Sequence, residues 1–147
     1  MKRILFFLSL SLLFACATAL AHDKVEAPKS CQVCGMDRSM FAQSRMLIIY
    51  SDEESVGTCS LHCVATQLKA NPGKKAKSLL VADCKSRILI DAHTAVWVIG
   101  GEKSGVMTEL PKWAFAKKDD ADAFIKVNGG KIAGFDEAMN LAEIEQD

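Results

Sequence analysis

Two short cysteine-rich segments constrain the fold of this chain more than any other feature of its sequence. The first is residues 31–36 (CQVCGM) and the second is residues 59–63 (CSLHC). Together the two segments contain four thiols, one thioether and one imidazole, and they lie within residues 31–63. Thiols this close in sequence can form disulfides, hold a metal ion or carry out redox chemistry.

The N-terminus has the features of an export signal. Lys2 and Arg3 precede an apolar stretch, residues 4–15, that is too short to span a bilayer comfortably. An Ala-Leu-Ala sequence predicts cleavage after Ala21, and the alternative is a lipobox that would place a lipid on Cys16 and anchor the protein to a membrane. Either route predicts a periplasmic or secreted protein. The predicted parts are a signal peptide (1–21), a flexible leader (22–30) and one metal-binding domain (31–147).

The cysteine count argues against a complete set of disulfides. Removing the predicted signal leaves five cysteines, and five thiols cannot all pair within one chain. Because an oxidising compartment usually pairs its cysteines, the odd count favours thiols that a bound metal or a dedicated reductant keeps reduced. The fifth thiol, Cys84, is expected to be free or buried at the end of a strand.

Composition gives no support for nucleic-acid binding. The formal net charge is zero, and losing Lys2 and Arg3 leaves 16 basic and 18 acidic residues, a charge of −2. Aromatic residues make up only 7% of the chain and are not interleaved with a basic patch. No nucleotide-binding loop, haem attachment motif or catalytic Ser/His/Asp motif is present, so we predict a protein that is not an enzyme.

The spacing of apolar runs and chain breaks predicts an α+β domain. It consists of two strand–strand–helix–strand units with antiparallel sheets, near residues 45–83 and 88–135. Helices are predicted over 60–70 and 119–128, and a last amphipathic helical segment over 136–144.

The first predicted helix has its thiols away from its apolar stripe. Leu61, Val64 and Leu68 form the stripe, and at about 100° per residue Cys59 and Cys63 project on nearly the opposite side. We therefore expect these two thiols to be available rather than part of the core. A helix N-terminus lowers thiol pKa, and side chains at i and i+4 are neighbours, so both sulfurs are expected to reach one ion.

The residues alone leave four uses of the thiols open. Cys31 and Cys34 could be a redox pair, but such a pair normally opens a helix after a strand, and here Gly35 follows at once. Four thiolates suit tetrahedral zinc, which would make a zinc-stapled structural module. Simple disulfides are the third use. The fourth, which we favour, is binding of Cu(I), because the thioether of Met36 is a ligand for Cu(I) rather than for zinc.

The first cysteine segment resembles the motif of the NosL family, exported copper-binding accessory proteins of nitrous-oxide reductase. The likeness continues in the same order through residues 89–92 (LIDA), 95–100 (AVWVIG), 105–107 (GVM), 122–124 (DAF) and 129–131 (GGK). The resemblance implies a pair of strand–strand–helix–strand units and Cu(I) chaperoning. It also implies metal ligands at Cys34, Met36 and Met107, the last in a loop where a core role is not expected.

The second cysteine segment departs from the core NosL pattern. It looks more like the paired cysteines of TRASH and YHS metal-binding modules, in which an upstream cysteine precedes a C-x3-C pair. The extra thiols imply a second site or one richer thiolate site. The complete predicted set of metal ligands is Cys31, Cys34, Met36, Cys59, Cys63 and Met107, with Cu(I) as the ion and zinc as the alternative.

The predicted function is that of an exported metallochaperone. It would bind Cu(I) and deliver it to a copper-accepting apo-enzyme, such as nitrous-oxide reductase, or to another periplasmic copper carrier. The alternatives are a thiol–disulfide oxidoreductase and a zinc-stapled structural module. A membrane is expected as a partner only if Cys16 is lipidated.

Overall fold

The computed structural model describes residues 25–146, so the predicted signal peptide and Cys16 lie outside the described residues. Within this range, no helix is both long enough and apolar enough to cross a membrane. The elements in chain order are β1 (Met46–Tyr50), β2 (Ser55–Thr58), α1 (Leu61–Ala70), β3 (Ala76–Ala82), β4 (Leu89–Asp91), β5 (Val96–Ile99), β6 (Lys112–Phe115), α2 (Lys118–Asn128), β7 (Lys131–Ala133) and α3 (Phe135–Ile144).

The strands form two antiparallel sheets, which confirms the predicted α+β class. The four-stranded sheet has the order β2-β1-β3-β4 and the three-stranded sheet has the order β6-β5-β7. The strands of each strand–strand–helix–strand unit lie in one sheet. The first unit consists of β1, β2, α1 and β3, and the second of β5, β6, α2 and β7. In both units the first strand lies between the other two.

Strand β4 belongs to the first sheet, although the sequence places it at the start of the second unit. Ile90 lies opposite Val81 of β3. A tight turn returns the chain onto β3, because the Asp83 carboxylate accepts hydrogen bonds from the backbone N–H and the hydroxyl of Ser86. Arg87 N–H then donates to the Asp83 carbonyl at 2.7 Å. The second unit therefore begins at β5.

Strand β5 contributes to two apolar cores because alternate residues of a strand face opposite sides. Trp97 and Ile99 pack in the first core, with the buried residues of β1 and the inner faces of α1 and α3. Val98 packs in the second core. The buried residues of this second core are Cys31, Cys59, Cys63, Val98, Val106, Trp113, Phe115 and Ala121. Three of the predicted metal ligands thus lie where the two units meet.

Residues 25–30, the described part of the predicted flexible leader, are attached to the rest of the domain. Ser30 and Asp37 form a β-bridge, and the Lys29 carbonyl accepts a hydrogen bond from Arg38 N–H at 2.8 Å. Glu26 is paired with both Arg38 and Arg45. This segment leads directly into the first cysteine loop and holds its beginning in place.

Candidate metal centre

The four cysteines of the two sulfur-rich segments meet at one point in the fold. All four Sγ atoms lie within 4.8 Å of one another. The Sγ atoms of Cys34 and Cys59 are 3.4 Å apart, and those of Cys59 and Cys63 are 3.7 Å apart. The structure therefore forms a single group of four thiols, which we call the thiol cluster, rather than two separate sites.

A tight loop turns the Cys31 and Cys34 thiols to the same side. Cys31 N–H donates to the Met36 carbonyl at 2.8 Å, and Gly35 N–H donates to the Cys31 carbonyl at 2.8 Å. Gly35 has a φ of +79°, a conformation that residues with a Cβ rarely adopt. The Cys34 N–H points at the Cys31 sulfur at 3.5 Å. This N–H favours a negatively charged sulfur there, as a metal-bound thiolate would be.

The second pair of thiols sits at the junction of β2 and α1. Cys59 follows the last residue of β2, and its carbonyl accepts a hydrogen bond from the Ser44 hydroxyl at 2.9 Å. Cys63 lies in the first turn of α1. These two thiols pack in the second core, whereas Leu61 and Val64 pack in the first. The predicted separation of the thiols from the apolar stripe is therefore confirmed.

The expected accessibility of these two thiols is wrong. Cys59 and Cys63 are both fully buried. Helical periodicity identifies the face that packs within the first unit, but here the opposite face is covered by residues of the second unit, among them Val98 and Trp113. Both faces of the start of α1 are therefore interior. Cys31 is buried as well, so among the four thiols only Cys34 is partly accessible.

The two predicted methionine ligands occupy different surroundings. Met36 is partly buried and packs against the core that contains the thiols. Met107 is 44% exposed, has a φ of +56°, and lines a cavity of about 550 Å³ with His62, Thr108 and Glu145. None of the four cysteines lines that cavity. The structure therefore packs Met36 against the core that contains the thiols and places Met107 at a cavity that the four cysteines do not line.

Comparison with known proteins identifies the family. A family model described as NosL matches residues 22–141, which is most of the chain. This chain belongs to the NosL family. It is similar to the crystal structure of the copper chaperone NosL from Shewanella denitrificans, with 28% sequence identity and a TM-score of 0.58. That likeness covers 82% of this chain and 94% of the other. No curated protein matches the chain.

The electrostatics of the cluster favour one negative sulfur between protonated neighbours in this NosL protein. Hydrogen bonds from the Cys63 and Cys34 thiols lower the pKa of Cys59 to about 6. Burial, together with donation to Cys59, raises the pKa of Cys34 to about 11. Donation to Cys59 and burial raise the pKa of Cys63 as well. A metal ion that binds Cys34 and Cys63 as thiolates must therefore displace their protons.

The size of the thiol cluster suits one thiolate-bound ion. Sulfur atoms placed tetrahedrally at about 2.3 Å from a metal are about 3.8 Å from one another. The observed separations of 3.4 and 3.7 Å, with all four sulfurs within 4.8 Å, are close to this value. The donor set is soft, and soft ions such as Cu(I) prefer it, although zinc accepts it too. The copper-chaperone family and the cysteine cluster together fit a copper-binding chaperone.

Cys84 is the remaining thiol of the described residues and is not a member of the thiol cluster. It is partly buried against the second core, and its N–H donates to the Ala114 carbonyl at 2.8 Å. Burial raises its pKa to about 11. Cys84 is therefore a protonated packing thiol and a suitable control position for the four clustered ones.

Proposed function

We propose that this protein is an exported Cu(I) chaperone that carries its cargo at the thiol cluster. The observation that supports the proposal is the meeting of four cysteine sulfurs within 4.8 Å in a member of the NosL family. Cys31, Cys34, Cys59 and Cys63 would supply thiolates, and Met36 a thioether from the edge of the cluster. Nitrous-oxide reductase, or another copper-accepting protein of the periplasm, would receive the ion.

The exposure of the thiols suggests where transfer begins. Three of the four are buried, and Cys34 is the one that solvent or a partner can approach. An acceptor ligand would first attack the ion on the side of Cys34, and the bond to Cys34 would be the first to break. Because the pKa of Cys34 is raised to about 11 without metal, its thiolate would take up a proton on leaving.

A competition titration tests the proposal. The protein is purified anaerobically and titrated with Cu(I) in the presence of a chromophoric Cu(I) chelator of known affinity. Cys34→Ser should lose most of the binding, because it removes the accessible ligand, and Cys84→Ser should bind like the wild type. Failure of the wild-type protein to compete with the chelator would contradict the proposal.

A zinc-stapled structural module is the second candidate, because near-tetrahedral spacing and burial of the sulfurs are typical of structural zinc sites. Parallel titrations with Zn(II) and Cu(I) decide between them. A chaperone should exchange Zn(II) for Cu(I) while remaining folded. A structural zinc protein should retain Zn(II) against equimolar Cu(I) and unfold when the zinc is chelated.

The oxidoreductase alternative is tested on the same samples. Equilibration with a defined thiol–disulfide couple, followed by mass spectrometry, would show a reversible disulfide if redox exchange were the function. The chaperone proposal predicts that Cu(I) protects the four clustered thiols from this exchange.

A further inference from the structure

Arg38 is a fully buried arginine with every N–H group paired. An arginine side chain carries five N–H donors, and here all five have acceptors. Nε donates to the Thr58 carbonyl at 3.1 Å. One terminal nitrogen donates to the carbonyls of Glu26 at 2.9 Å and Pro28 at 2.7 Å. The other donates to the Glu26 carboxylate and to the Met46 carbonyl, the latter at 2.9 Å.

These acceptors lie next to both halves of the thiol cluster. Pro28 stands three residues before Cys31, and Arg38 itself stands two residues after Met36, so the guanidinium joins the two ends of the first cysteine loop. Thr58 immediately precedes Cys59. One side chain therefore connects both ends of the first loop to the strand that leads into the second pair of thiols.

Glu26 supplies the charge that allows Arg38 to be buried. Removing a guanidinium from water is costly unless it is paired and hydrogen-bonded. The Glu26 carboxylate is paired with Arg38 and is also bound by Arg45, whose Nη2 lies 2.9 Å from it. We call the three residues Glu26, Arg38 and Arg45 the guanidinium clasp.

Gly57 provides the space for this side chain. A Cβ atom at Gly57 would lie 2.7 Å from the guanidinium carbon of Arg38 and 2.9 Å from Pro28. The backbone of Gly57 is at the same time paired with the first cysteine loop. Gln32 N–H donates to the Gly57 carbonyl at 3.0 Å, and Gly57 N–H donates to the Gln32 side chain at 2.8 Å.

We propose that Arg38, held by Glu26, is a positioning residue for the metal site. It holds the two cysteine segments at the separation that one ion requires. When no metal joins the sulfurs, a frame tied through five hydrogen bonds opposes the moving apart of the two segments. The inference rests on the proposed function in that Cu(I) is the cargo of the cluster, but the geometric role would hold for any ion bound by the four sulfurs.

Three variants disturb the clasp in different ways. Gly57→Ala displaces the guanidinium and leaves every donor in place. Glu26→Gln removes the countercharge, and Arg38→Lys keeps the charge but has three donors instead of five. The matched control is Glu145→Gln, which removes the carboxylate that pairs with another buried cation, Lys112. The Lys112 side chain is 2% exposed and its ammonium lies 3.0 Å from the Glu145 carboxylate, and neither residue belongs to the guanidinium clasp.

The experiment measures metal binding separately from stability. Each protein is tested at a temperature where circular dichroism shows that it is folded. Cu(I) affinity is measured by chelator competition, and Co(II) is used as a probe because its visible absorption bands report the geometry of thiolate coordination. A purely structural role would lower the melting temperature but leave these bands and affinities unchanged.

We expect the clasp variants to bind Cu(I) and Co(II) about tenfold or more weakly, as is common when residues behind metal ligands are changed, and to show altered Co(II) bands. Glu145→Gln should lower the melting temperature and keep wild-type affinity. Wild-type affinities and bands in the folded clasp variants would overturn the inference.

If Arg38→Lys does not fold, Gly57→Ala and Glu26→Gln decide the question. If wild-type protein binds Co(II) but not Cu(I), the proposed function fails while the Co(II) results still test the clasp; binding of neither ion overturns both.

Discussion

Met36 and Met107 carry the same side chain in different settings, and the difference decides which is expected to hold the cargo. Met36 packs against the core that contains the clustered thiols. Met107 faces a cavity lined by His62 and two glutamates, Glu109 and Glu145. A thioether contributes to Cu(I) binding only when its sulfur reaches the ion, so the residue beside the thiols has the stronger claim.

We expect Met36→Leu to weaken Cu(I) binding about tenfold, a loss in the range seen around metal sites, and to leave Zn(II) binding unchanged because zinc does not favour thioethers. Leucine has a similar volume, so packing is retained. Chelator competition measures the affinities, with Met107→Leu as the control. If Met107→Leu lost more Cu(I) affinity than Met36→Leu, Met107 rather than Met36 would be the thioether ligand.

Glu26 gives a pH dependence whose sign can be worked out. Burial of Glu26 raises its pKa, but hydrogen bonds from Arg45 and the charges of Arg38 and Arg45 outweigh burial, and the pKa lies below the usual 4.5. The folded protein therefore binds the Glu26 proton less tightly than the unfolded chain does. This stabilisation is present above about pH 4.5 and is lost as the pH falls through the lower, folded-state pKa.

We therefore expect Glu26→Gln to lower the free energy of unfolding by about 2 kcal/mol at pH 7, the scale of a hydrogen bond to a charged group. The difference from wild type should shrink as the pH falls below about 4.5. Urea unfolding of metal-free, reduced protein at several pH values measures this. Asp136→Asn, at the exposed start of α3, serves as a control. A difference that stays constant down to acidic pH would rule out the ion pair as its source.

At the scale of elements, α1 buries more of its surface than its single apolar stripe predicts. Leu61, Val64 and Ala65 pack in the first core, and Cys63 packs in the second. The helix stands between the two cores at its N-terminal end and becomes exposed towards Lys69 and Ala70. The thiol face could be recognised from sequence only as a departure from the stripe.

Val64 tests how much the first-core face of α1 contributes. Val64→Ala removes two buried methyl groups from a fully buried site and should cost about 2 kcal/mol of unfolding free energy. Val127→Ala in α2 is the matched control, because Val127 is 79% exposed and the same change should fall within about 0.5 kcal/mol of wild type. Chemical denaturation of both variants measures the effect. Equal losses would mean that burial in the first core does not set the cost, and helix propensity could not explain them because alanine is the better helix former.

At the scale of the whole molecule, the thiol cluster lies where the two strand–strand–helix–strand units meet. Cys31, Cys59 and Cys63 come from the first part of the chain, and the second unit supplies Val98, Trp113 and Phe115 around them. An ion bound to the cluster would link residues 31–34 to residues 59–63 and would be lost when these two segments separate on unfolding. Metal binding should therefore stabilise the fold as a whole.

We expect Cu(I)-loaded protein to unfold at a higher temperature than metal-free protein. At a free metal concentration 100 times the dissociation constant, the gain is about 2.7 kcal/mol. Anaerobic thermal unfolding followed by circular dichroism measures it, and a strong Cu(I) chelator should reverse it. The double variant Cys59→Ser and Cys63→Ser should show little gain. A full gain in that variant would mean that these two thiols are not ligands.

The elements and their class could be predicted from sequence because they depend on local patterns. The predicted helices over 60–70 and 119–128 agree with α1 and α2 to within one residue at each end, since the apolar spacing and the Asn-Pro-Gly and Gly-Gly stops lie within the segments themselves. The assignment of β4 to the second unit differed from the structure, because strand pairing depends on the turn at Asp83 and not on the apolar run alone.

The sequence by itself determined the two-unit α+β fold, the cysteine loop at residues 31–36, and the soft donors of the two cysteine segments, because these follow from residue type and spacing. Only the tertiary structure decided that the four thiols form one cluster, that Cys34 is the accessible one, and that Arg38 holds the segments together. Those features depend on contacts between residues far apart in the chain. In particular, the burial of Cys59 and Cys63 arises because the second unit covers the face of α1 that its own periodicity leaves polar.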